Sequence, residues 1–212
     1  MERPHAPASA TLGRIALAGL LFFILVAVAV QLLRGDLDWR EAPLSFYLLD
    51  AYGHWLQAAY VVLAIALCVL GAGYYRALDA RQRSAAPWLL FTAAGLGLCV
   101  TALAHSNLPG RAPTLEGFVH GVAAQAAFLC VTVAALLQSW RLRVDPRWRP
   151  RFAPAFGLAL AGFAAIWVDA LWHGMPRGLE QRLVIALILA WLLLAAGWLC
   201  RDRTAAAREN PL

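Results

Sequence analysis

Three times in this chain an acidic residue precedes a histidine by four positions: Asp50 and His54, Glu116 and His120, Asp169 and His173. On a helix, that spacing stacks the two side chains on one face. Neutral imidazole is a common zinc ligand, and three protein ligands plus a water make a catalytic site. A ligating histidine usually donates its other ring N–H to a carboxylate. His54, His105, His120 and His173 are therefore the candidate metal ligands. Asp50, Glu116 and Asp169 are the carboxylates that would orient them, supply a further ligand or act as base. Bound zinc brings water toward a neutral pKa, which makes a hydrolytic nucleophile. Ser45, Ser106 and Asn107 could bind a polarised oxygen, and Arg182 an anionic head group. The same histidines carry a second chemistry. Two on facing helices, His54 with His120 or His105 with His173, could ligate a single haem b. A third reading needs no cofactor: proton exchange, or an interfacial imidazole paired with a carboxylate one turn away.

The elements that must position these groups follow from composition. The chain has 212 residues, 62% of them hydrophobic and 14% charged, and its apolar residues come in long runs. About 20 apolar residues cross the hydrocarbon of a bilayer as a helix. Six such runs predict helices over 14–33, 50–75, 87–105, 116–140, 152–172 and 179–200, with Pro87 in the first turn of the third. A polar lead over 1–13, expected to be disordered, and a polar tail over 201–212 flank this six-helix domain. The first run is read as an uncleaved signal anchor, because its core is longer than that of a usual signal peptide and Gln31-Leu32-Leu33 is a poor cleavage site.

All 18 basic residues are arginine. Thirteen fall in the lead, the even-numbered linkers and the tail, against five in the other loops, which predicts that both termini are cytoplasmic. Tryptophans form two expected interfacial belts: Trp39, Trp55, Trp167 and Trp172 at the outer face, Trp88, Trp140, Trp148 and Trp198 at the inner one. In this topology the acid–histidine pairs and His105 gather at the outer face. The net charge of +6 is explained by membrane orientation, so a nucleic-acid role is excluded, and the basic linker 141–151 is read as an orientation determinant touching anionic lipid. Cys68, Cys99, Cys130 and Cys200 lie in or at the end of apolar runs and read as packing residues. Glycines and alanines in helices 2, 3 and 4 predict that these three form the tightly packed centre of the bundle.

Several stretches carry a family resemblance: Pro43-Leu44-Ser45 with Tyr47 before helix 2, the loop LPGRAPTLEGFVH ending in His120, and GLEQRLVIALILAW over 178–191. The chain resembles the six-helix bacterial and archaeal membrane family catalogued as domain of unknown function 998. That resemblance implies the fold and topology and brings no reaction with it. Members of the family often carry an Asp in the loop after helix 3, where this chain has Asn107. The polar set is also similar in outline to transmembrane hydrolases of the alkaline ceramidase and adiponectin receptor superfamily, which use three histidines, an Asp and a Ser; this chain has no HxxxH. The sequence thus predicts an all-α, polytopic bundle of six transmembrane helices in the cytoplasmic (inner) membrane. Its expected working part is an outward-facing polar pocket, read as a metal-assisted hydrolase site for a lipid or small amphiphile. The alternative is a non-enzymatic membrane protein that binds a small ligand, a proton or one haem b.

Overall fold

Six long helices follow one another with short connections: α1 (Ala6–Leu33), α2 (Gly53–Ala77), α3 (Ala85–Leu103), α4 (Leu115–Leu142), α5 (Phe152–Leu171) and α6 (Arg177–Arg201). Short 3-10 helices at Leu44–Leu48 and Arg149–Arg151 lie in two of the connections. The computed structural model describes residues 6–108, 110, 112–172 and 174–202, and no strand occurs among them. All six helices are long and apolar enough to cross a membrane. At 25 residues, α2 and α6 each extend roughly 38 Å, more than the hydrocarbon thickness of about 30 Å.

Helix boundaries depart from expectation where local chemistry overrides apolar content. α1 begins at Ala6 rather than Arg14, and Ser9 and Ala10 are fully buried against the bundle. Residues 1–5 and 203–212 lie outside the described residues. α2 begins at Gly53, not at Asp50, because Asp50 and Tyr52 both adopt left-handed backbone (φ 59° and 67°). α3 stops at Leu103, so His105 lies beyond it in the connection. Its start is set by Ser84, whose hydroxyl accepts from the Ala86 N–H, with Pro87 in the first turn as the sequence predicts. α4 is opened by Thr114, whose Oγ1 accepts from the Gly117 N–H at 3.0 Å.

The helices form a closed ring in chain order. Each packs on its neighbours, and α6 returns to pack on α1. Small residues set the closest approaches. A Cβ on Gly95 of α3 would meet the Ala64 backbone of α2, and one on Gly97 would meet Ala123 and Ala127 of α4. The close approaches of α3 to α2 and to α4 are present, but the three helices are consecutive members of the ring and not its centre. Gly13 of α1 lies equally close to the Leu199–Cys200 backbone of α6.

At the end of the bundle that carries the termini, α4 and α5 converge. Trp140 packs on Phe152 and Phe156 with ring centroids 6.1 and 5.9 Å apart. Trp191 crosses from α6 and donates to Ser139 Oγ (3.1 Å) and the Ala155 carbonyl (3.0 Å). Trp148 does not join an interfacial belt as expected: it is fully buried and packs on Tyr74. Arg151 lies 4.5 Å over its ring, and Arg147 donates to the Ala77 carbonyl and to buried Asp145. Part of the basic linker therefore locks α2 to the α4–α5 connection.

Candidate functional site

The site is built at the end opposite the termini, where three connections meet. Its frame is two arginines used as clamps. Arg34, just past α1, is buried and donates to the Leu49 carbonyl at 2.7 Å. It also makes a two-pronged contact with Asp36, both bonds 2.8 Å, which holds the Asp36 carboxyl below its ordinary range. This clamp secures the strained turn at Asp50 and Tyr52, where non-glycine residues in left-handed backbone each cost about 1–3 kcal/mol. Arg182 on α6 donates to Gln31 Oε1 (2.8 Å), the Ala42 carbonyl (2.9 Å) and the Gly178 carbonyl (2.8 Å). Arg182 thus ties α1, the α1–α2 connection and α6 together, and its position also lies near the Tyr47 ring. The expected pairing of Arg182 with an anionic head group competes with these protein partners.

Gly178 explains how the connection reaches α6. A Cβ there would overlap the carbonyls of Trp39, Arg40 and Ala42. The approach is completed by Leu179 N–H to the Arg40 carbonyl and by the Leu44 N–H donating to Gln181 Oε1 at 2.7 Å. Sequence reasoning missed Gly178, Gln31 and Gln181. A glycine and two amides at helix ends carry no pattern distinguishable from ordinary turn and surface use.

Of the two acid–histidine pairs that lie wholly among the described residues, neither is used as spaced. Asp50 precedes α2 in left-handed backbone, so it does not stack over His54; both are exposed, and His54 lies beside Trp55. Glu116 and His120 share α4 but turn to different partners. Glu116 Oε1 accepts from the His105 backbone N–H at 2.8 Å and contacts His105 Nδ1 at 2.5 Å, joining the end of α3 to the start of α4. His120 is buried, and its Nδ1 contacts the Ala104 carbonyl at 2.8 Å. A carbonyl only accepts, so Nδ1 carries the proton and Nε2 is left as an acceptor in the neutral ring. Asp169 is half-buried on the last turn of α5, and His173 lies outside the described residues. Among the described residues, no group of three or more His, Cys, Asp and Glu is arranged to hold a metal ion. The haem pairing of His54 with His120 would join an exposed ring to a buried one, and the other pairing involves His173.

Asn107 sits in the α3–α4 connection as a scaffold for α4. Its Oδ1 accepts from the Thr114 N–H (3.0 Å) and hydroxyl (2.9 Å), and its side chain occupies the place where a Cβ on Gly117 would be.

What the structure does gather is a pair of adjoining cavities. The larger, of about 540 Å³, is lined by Ser45, Ser106, Asn107, His120, Gln125, Asp169, Arg177 and Gln181 among apolar neighbours. The smaller, of about 80 Å³, lies within the ring and is walled by side chains such as Tyr60, Leu63, Leu98, Val131 and Ile188, from α2, α3, α4 and α6. Ser45, His120, Ala124, Phe128 and Gln181 line both, so the larger cavity, a vestibule with polar groups in its wall, adjoins the smaller apolar slot. His120 stands at the junction. Ser106 Oγ is buried without a hydrogen-bond partner.

Six apolar helices around an internal cavity define a multi-pass membrane protein. The chain belongs to the family described as protein of unknown function (DUF998), which matches residues 16–198. No curated protein and no solved structure matches the chain.

Proposed function

We propose that this protein binds a single-chain amphiphile with a neutral or zwitterionic head, holding the head in the vestibule and the start of the chain in the slot. The adjacency of the two cavities, which share His120, Ala124 and Gln181 in their walls, carries this reading. A pocket that changes from polar to apolar along its length suits a ligand that does the same. The vestibule offers hydroxyl, amide and imidazole groups, with one carboxylate and one guanidinium, Asp169 and Arg177, so neither sign of charge dominates. The slot is small and walled almost wholly by apolar side chains, which suits part of an aliphatic chain. The arginine bias supports placing the vestibule on the outer side of the cytoplasmic membrane.

The fixed His120 tautomer favours a second reading on the same site. An Nε2 acceptor at the junction could take a proton from water attacking an ester of the bound amphiphile. The metal-assisted form of hydrolysis proposed from sequence rests on His173 completing a ligand set with residues that the structure commits elsewhere, and so has less support than binding.

The test is equilibrium binding of a dansyl-tailed lysophosphatidylcholine to the purified protein, beside the variant Ala124→Phe, which fills the neck. We expect saturable binding by the native chain and a loss of about tenfold or more in the variant, as direct obstruction of a fitted pocket should give. Equal binding by both would sink the reading. Release of free fatty acid, abolished by His120→Gln, would convert the binding site into a hydrolytic one.

A further inference from the structure

We infer that the amphiphile enters the vestibule sideways, from the membrane, through a gap between α4 and α5; this rests on the binding reading above. α4 and α5 touch at the end that carries the termini, through Trp140, Phe152 and Phe156. At the other end the vestibule separates them, with Gly121 and Gln125 of α4 on one side and Ile166 and Asp169 of α5 on the other. Toward the loops the cavity thus lies between the two helices.

The vestibule does not end at α4. Gly117, Gly121 and Gln125 also line a shallow groove on the outward surface of α4, beside Phe118, Val122 and Leu129. The polar cavity and the lipid-facing groove therefore share an edge. Nothing lies within 4 Å of where a Cβ on Gly121 would stand, so the edge is open at that point. Gln125 is exposed there, roughly 15 Å along the axis from the start of α4, as 1.5 Å per residue gives. An exposed amide at that depth is costly in hydrocarbon and is explained if it borders a wet cavity. Apolar groove, open edge and polar vestibule together make a path on which a chain stays in lipid while its head moves along polar groups.

A barrier on this path should slow entry and exit equally and leave affinity unchanged. The experiment places the full-length protein in lipid nanodiscs with dansyl-tailed lysophosphatidylcholine and follows tryptophan-to-dansyl energy transfer. Exchange is started by adding unlabelled lysophosphatidylcholine. For Val122→Trp, in the groove and outside the vestibule, we expect release and rebinding both slowed about tenfold, the effect of a barrier raised by one such factor, with equilibrium occupancy within about twofold of native. Val122→Phe should fall between the two, and it decides the matter if the tryptophan variant does not fold. Native rates in Val122→Phe and Val122→Trp with native occupancy would overturn the lateral path while leaving the binding site standing. No saturable binding by the native protein would overturn both.

Discussion

A guanidinium that is 7% exposed makes a residue-scale argument of its own. Arg34 satisfies a carbonyl of the turn before α2, and the sequence shows it only as one of five arginines against the positive-inside trend. Arg34→Ala removes a charged donor from a part-buried acceptor, which costs about 2 kcal/mol, and the strained turn adds to that. The expected outcome is a lower midpoint in detergent-based unfolding, not restored by Arg34→Gln. Asp202, at the end of α6, gives a pH test. Burial raises its carboxyl above the ordinary 3.8, partly opposed by Arg147 and Arg151. A raised folded-state pKa means that the ionised form weakens the fold: the penalty is full above the folded pKa and gone below the unfolded value. Asp202→Asn should therefore be more stable than native at neutral pH, with the difference closing as pH falls through the raised pKa toward 3.8. Thermal unfolding across pH 3–8 checks it; a gap constant with pH would show that Asp202 is not the titrating group. At this scale the four-residue spacing did not foretell the partners that Glu116 and His120 take. Spacing of four predicts a shared face, yet it does not say whether a carboxylate turns to its own helix or, as Glu116 does, to the neighbouring one.

Helices were legible because apolar length is a strong signal, and their ends were not, because caps and loop contacts decide them. α2 illustrates this: its apolar pattern runs back toward Asp50, and the left-handed turn clamped by Arg34 delays the helix to Gly53. Small residues proved readable at the same scale, since close approach in lipid has few other solutions. Gly95 gives the prediction. Its α2 neighbour is backbone, which cannot move aside as a side chain can. Gly95→Leu should push α3 off α2 and cost about 1–3 kcal/mol or more, the usual range for overpacking. Since Ala94 and Leu98 line the slot from the same helix, amphiphile binding should fall together with stability. A stable, fully binding Gly95→Leu protein would show that α2 and α3 have room to separate.

For the whole molecule, composition conveyed the class and charge bias the expected orientation; a polar pocket was expected from its residues, while the apolar cavity beside it was not. The vestibule is lined from the α1–α2 and α3–α4 connections, α4, α5 and the start of α6, and no local pattern joins them. Orientation has a direct check. In a cysteine-free background, a cysteine at Ala112 should react with an impermeant maleimide on intact cells, and one at Ala80 only after the membrane is opened. The reverse pattern would place the vestibule on the cytoplasmic side. The ring also has a direction in time. Ribosomes deliver α1 first and α6 last, yet these two pack on each other, with Gly13 against Leu199 and Arg182 against Gln31. Until α6 arrives, the nascent bundle is a trough with one wall missing, and the α1 side chains destined for α6, together with the slot, face lipid or a chaperoning insertase. Assembly therefore finishes in a single closing event, and a chain released before Arg177 would leave an open half-cylinder for membrane quality control to find.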